Sequence, residues 1–187
     1  MSDKHLSRGI SFLFSRLPPA ETWLHAIVMS AVLLQLLSSF FMHVHVDTPL
    51  TKLTPVDWYH VFAGLGLLVL APVFMALLLK RRHLRDLYPW LFGQFQQLKT
   101  DLRILKGLSL PDAQPGGLAA CLEGLGLLAL LLAVFSGAFW LAGITLGWQT
   151  APDLLGLHKA LVGLIEAYVW GHGGFALLHL LVWRRHH

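Results

Sequence analysis

Two histidines fourteen residues apart, His158 and His172, lie inside one long apolar stretch, LLGLHKALVGLIEAYVWGHGGFALLHLLVW. At about 100° per residue they return to within about 40° of one helix face, and at about 1.5 Å per residue they stand about 21 Å apart along it. Two imidazoles then look one way at two depths. Neutral imidazole is a ligand for transition metals. Two of them on opposite sides of a haem iron leave no open position for oxygen and suit electron transfer. Single histidines near the ends of two other apolar stretches, His25 and His60, can supply the opposite ligands. The spacing predicts two haems stacked across a bilayer.

The elements that must position these residues are membrane helices. The 187 residues are 56% hydrophobic and 13% charged, against about 25% charged in a soluble domain. Four apolar segments stand out, at about 22–42, 58–79, 118–141 (with room to extend to Gly147) and 154–183. Each is long enough to cross a hydrocarbon layer of about 30 Å, and runs this continuous satisfy their backbone only as helices. The expected fold is an all-α, integral membrane four-helix bundle forming one domain, 1–187. Pro72 should kink the second helix by removing one hydrogen bond. Cys121 is the only cysteine, so there is no disulfide and no attachment motif for covalent haem. The opening MSDKHLSRGISFLFSRLPPAE has no short apolar core before a cleavage site and does not read as a signal peptide.

Basic residues set the expected orientation. Lys4, Arg8 and Arg16 precede the first helix, Arg184 and Arg185 follow the fourth, and Lys80, Arg81, Arg82, Arg85, Lys99, Arg103 and Lys106 lie between the second and third. The remaining loops hold only Lys52 and Lys159. The positive-inside rule then places both termini and the long middle loop in the cytoplasm. Trp23, Trp58, Trp140, Trp148 and Trp183 fall near helix ends, as an interfacial aromatic belt would. Within the middle loop, Leu91, Phe95, Leu98, Leu102 and Leu105 recur at helical spacing among polar and basic residues. They predict a short amphipathic helix, either lying on the membrane surface or packing on the bundle.

In that topology His60 and His158 sit near the periplasmic side, and His25 and His172 deeper toward the cytoplasm. Depth matching pairs His60 with His158 and His25 with His172. His179 is seven residues after His172 and shares its face, and depth alone barely separates the two. His5, His83, His186 and His187 lie in polar segments and read as solvated. No carboxylate or cysteine accompanies the four intramembrane histidines as a zinc or di-iron site would require. Gly64, one turn after His60, and Gly171, Gly173 and Gly174 around His172 leave room for a flat macrocycle. Gly124, Gly126 and Gly137 serve helix–helix contact equally well. Further polar groups in or near the membrane are Gln35, His43, His45, Lys159 and Glu166. Glu166, His43 and His179 are candidates for a quinone or proton site. Helix packing, or lysine snorkelling at Lys159, explains such groups as well.

At these residues the chain resembles the four-helix dihaem cytochrome b group, which includes bacterial cytochrome b561, the formate dehydrogenase gamma subunit and the b-type subunit of nickel–iron hydrogenase. The resemblance rests on H-x13-H in the fourth helix, WLH in the first and DWYHVFAGLG opening the second. It also rests on YPWLFGQFQQLKTDLRILKG followed by PGGLAACLEGLGLLALLLAVFSG, and covers about 22–183. It implies axial ligands at His25, His60, His158 and His172, and it is the resemblance that prefers His172 to His179. It further implies two non-covalent b-type haems, exchange with membrane quinone, a bacterial inner-membrane location and a redox partner protein. The chain has no substrate-oxidising motif of its own, and nothing in it points to nucleic acid. The leading expectation is thus the electron-transfer subunit of an oxidoreductase. The rivals are a stand-alone superoxide:quinone oxidoreductase of the cytochrome b561 type and a non-redox membrane metal-binding protein. A superoxide reaction would gain from a cationic periplasmic funnel. The short periplasmic segments, with Asp47, Asp57 and Asp153 against Lys52 and Lys159, supply none.

Overall fold

The computed structural model describes residues 18–45 and 48–186, without the side chains of 179 and 182–186. Lys4, His5, Arg8, Arg16, Asp47 and His187 lie outside the described residues, as do the side chains of His179, Trp183, Arg184, Arg185 and His186. In chain order the helices are α1 (Pro19–Ser39), α2 (Pro55–Arg81), a short α3 (Leu84–Leu87), α4 (Gln96–Lys106), α5 (Leu118–Leu146) and α6 (Ala151–His186). Among the described residues there is no strand. The helices α1, α2, α5 and α6 are each long and apolar enough to cross a membrane, and they start and end close to the four expected segments. Their outer faces carry large exposed apolar side chains such as Leu37, Phe62, Val69 and Trp170. Such a coat suits lipid and would be unstable in water.

Local chemistry explains where the long helices begin and end. Thr54 and Asp57 form a reciprocal cap at the start of α2, with Thr54 N–H donating to Asp57 Oδ2 (2.8 Å) and Asp57 N–H to Thr54 Oγ1 (3.3 Å). Pro55, in the first turn, lacks the N–H that would otherwise need a partner. At the end of α5, Gly147 takes φ +70° and Trp148 N–H reaches back to the Gly143 carbonyl (2.8 Å). That left-handed closure favours glycine.

The described chain packs as two compact units. One gathers the chain up to Trp23, Leu77–Gly126 and the chain from Ala167; the other comprises Leu24–Ala76 and Leu127–Glu166. In the first unit Arg81 forks onto the buried Glu21, with Nη2 2.6 Å from Oε2 and Nε 2.8 Å from Oε1, and Arg82 pairs with Glu123. Tyr88 donates to the Gly124 carbonyl (2.8 Å), and its burial raises the phenol pKa above its ordinary value. A Cβ on Gly124 would stand 2.7 Å from the Leu87 carbonyl oxygen, so only glycine admits the loop there.

Helix α4 is the expected amphipathic helix, and its inner anchor is polar. Asp101, 1% exposed, accepts from Leu118 N–H at the start of α5 (2.7 Å) and from Gln97 Nε2 (2.8 Å). It caps a membrane helix from another element. Asp101→Ala should strand that N–H and cost about 1–3 kcal/mol. A clear drop in the thermal unfolding midpoint in detergent is expected, and an unchanged midpoint would count against this cap.

Candidate functional site

The second unit holds a cavity of about 380 Å³ between α1, α2, α5 and α6, with mainly apolar walls. His60 from α2 and His158 from α6 both face it. Their ring centroids are 6.4 Å apart, with the ring planes at 81°. An imidazole nitrogen binds a first-row metal ion at about 2 Å, so two imidazoles on opposite sides of one ion hold their centroids about 6.3 Å apart. The separation matches that of two imidazoles meeting one ion, and both rings face the same mainly apolar cavity.

Each ring is held by Nδ1. Ser38 Oγ lies 2.8 Å from His60 Nδ1, and its own hydrogen is donated to the Gln35 carbonyl (2.9 Å). A tautomer of His60 that ligates through Nε2 would donate its Nδ1–H to this hydroxyl. His158 Nδ1 donates to the Ala133 carbonyl (3.0 Å) and lies 3.2 Å from Ser136 Oγ, whose hydrogen also goes to Ala133 (2.9 Å). A carbonyl only accepts, so His158 carries its proton on Nδ1 and keeps the Nε2 lone pair. In both residues a neighbour orients the ring through Nδ1.

Ser38 and Ser136 stand out by neither composition nor the helical spacing of their own segments. The signal was a serine 22 residues before a histidine, present twice. Each serine sits on one helix and its histidine on the next long helix. Gln35 adds a further clamp, with Nε2 donating to the His60 carbonyl (2.9 Å). Gly64 makes space for that amide, because a Cβ there would lie 3.0 Å from Gln35 Nε2. Gly137 is the glycine beside an imidazole: its Cβ would stand 3.1 Å from His158 Cε1. Gly126 admits the Tyr168 ring, and Gly171, Gly173 and Gly174 face open space.

The other candidates are placed as follows. His25, in the second unit, has its ring 6.0 Å from Phe74. His172, in the first, stacks on Tyr168 at 5.1 Å and 18°. Glu166 and Lys159 line the cavity, and Lys159 Nζ donates to the Val44 carbonyl (3.0 Å). Val44 is itself buried with Trp140 and Leu155, so this lysine ties the 42–45 segment to α6. His43 is exposed and is not on the cavity wall. Among the described residues no three His, Cys, Asp or Glu side chains converge, so a cavity ligand meets these imidazoles as a pair.

Four helices long and apolar enough to cross a membrane define the class: a multi-pass membrane protein with two imidazoles facing one apolar cavity. The family model described as prokaryotic cytochrome b561 matches residues 16–187. The chain belongs to that family and is, accordingly, a membrane protein of b-type haem electron transfer. Neither the curated proteins nor the solved structures gave a match.

Proposed function

We propose that this protein carries electrons across the membrane through two b-type haems, between membrane quinone and a partner redox protein. The observation that carries the proposal is the His60–His158 pair, with its 6.4 Å ring separation and a hydrogen-bond partner at each Nδ1. These residues would hold one haem. His25 and His172 are assigned to the second by their depth in the sequence and by the family resemblance. Bound haem would supply a one-electron iron couple closed to oxygen by its two imidazoles.

The chain's own residues do the remainder. Ser38, Ser136 and the Ala133 carbonyl keep each Nε2 lone pair directed away from the protein scaffold that holds Nδ1. Apolar walls keep water from the site. Glu166, the carboxylate on the cavity wall, is the candidate to hand protons to or from a quinone. His43 and His179 are proposed near the quinone on the sequence pattern alone. The basic residues between α2 and α5 assign that connection, and with it both termini, to the cytoplasm of a bacterial inner membrane.

Purified protein from haem-replete cells should show a reduced-minus-oxidised b-type spectrum with about two haems per chain, both low-spin as bis-imidazole ligation requires. A colourless, folded preparation would overturn the proposal. Quinol should reduce both haems, and electrons should then leave only when a partner or artificial acceptor is added. Rapid quinone reduction by superoxide with no partner present would replace the partner-subunit role with a stand-alone enzyme.

A further inference from the structure

One face of α4 carries Lys99, Leu102, Arg103 and Lys106, a spacing of three, four and seven residues that brings them to one side of the helix. The four side chains line an open cleft of about 220 Å³. Asp101 lies on the opposite side, locked to the start of α5. The helix is therefore held rigidly by one face while the basic face points outward. Among the described residues, none of the three cations has an ion-pair partner. By contrast, Arg81 and Arg82 are neutralised by Glu21 and Glu123, and Arg85 lies 5.2 Å over the Phe92 ring.

Apolar side chains are exposed before, on and just after α4. Leu91, Phe92 and Phe95 precede α4 with much of their surface open, and Leu102 and Ile104 are open on the helix. Leu108, just past its end, is 98% exposed. It also takes φ +57° in the closing turn, where Ser109 N–H returns to the Ile104 carbonyl (3.2 Å). Glycine is the ordinary residue at that position. A bulky leucine held there and pointing wholly outward has no protein contact to explain it, whereas an acyl layer accounts for it.

We propose that the Lys99–Arg103–Lys106 cleft binds the phosphate headgroup of an anionic phospholipid, with Leu102 and Leu108 reaching the acyl region beneath. The occupant is set by charge complementarity together with the apolar rim. A free phosphate would use the cations and leave the leucines in water, while a lipid satisfies both. The inference needs only the membrane-spanning fold and is independent of the haem ligand assignment.

The test uses the full-length protein in nanodiscs of phosphatidylcholine containing a minor fraction of spin-labelled phosphatidylglycerol. The wild type should immobilise the anionic lipid in preference to spin-labelled phosphatidylcholine. Each neutralised cation should weaken that preference about fivefold, and the triple variant K99Q/R103Q/K106Q about a hundredfold. All variants should keep the wild-type haem spectrum, which separates loss of the lipid site from loss of the fold. Added inorganic phosphate should not displace the lipid. Equal immobilisation of both lipids by the wild type, or an unchanged preference in the triple variant, would overturn the proposal. So would displacement by inorganic phosphate, which would mark a free-anion site. A second variant, L108S, should weaken retention without altering the salt dependence. If it leaves retention unchanged, the acyl-contact half of the proposal is wrong.

Discussion

Replacing His60 or His158 by alanine should remove the same haem, and replacing both should remove no more than either one alone. The two rings face one cavity with centroids 6.4 Å apart, so under the proposed function they should act as a single site. Losing one imidazole leaves its opposite number without a shared ion, and the haem content should fall from about two per chain to about one. The paired substitutions are grossly non-additive for the same reason that contacting residues are. Haem extraction and reduced-minus-oxidised spectra read the result directly. Additive losses, with each substitution taking a different haem, would separate His60 from His158 and dismantle the pairing. His25→Ala and His172→Ala should behave as a second non-additive pair and deplete the other spectral component.

Ser38→Ala should weaken haem binding far more than Ser136→Ala. His60 Nδ1 has Ser38 Oγ as its hydrogen-bond partner, so the alanine removes that bond and leaves the ring free to rotate or change tautomer. His158 Nδ1 keeps the Ala133 carbonyl when Ser136 is lost. Removing a partner that orients a metal-ligating histidine typically costs about 10–100-fold in affinity. That range is expected for Ser38→Ala, with a few-fold change at most for Ser136→Ala. The potential gives a second readout. An acceptor on Nδ1–H makes Nε2 a better donor and favours the ferric state, so its removal should raise the potential of the affected haem. Ser38→Thr retains the hydroxyl and should restore both binding and potential. Equal effects of the two alanines would mean that the carbonyl to His158 does not hold the tautomer.

Much of the architecture was legible because lipid leaves a chain few options. Continuous apolar runs must become helices, and the four segments are recovered as α1, α2, α5 and α6. The amphipathic helix was legible in its periodicity, but its role was not. Its apolar residues suggested either a surface helix or one packed on the bundle. The structure shows a polar anchor, Asp101, reaching the first turn of α5 seventeen residues further on. A single aspartate in a basic helix has no pattern to betray it. The glycines divided in the same way. Gly64 lines the cavity and also admits the Gln35 amide, while Gly137 lies against the His158 ring. Glycine in a membrane helix marks a close approach, and only the partner's coordinates say what approaches.

By itself the sequence determined the membrane-spanning helices, their approximate bounds and the histidines within them, because hydropathy and helical pitch are properties of a single segment. Tertiary structure decided that His60 and His158 meet at one cavity. It also decided that Ser38 and Ser136 meet their Nδ1 atoms and that Lys159 holds the Val44 carbonyl. Those facts depend on the rotation of one helix against another. That rotation is fixed by interlocking side chains, and no periodicity within a single helix records it.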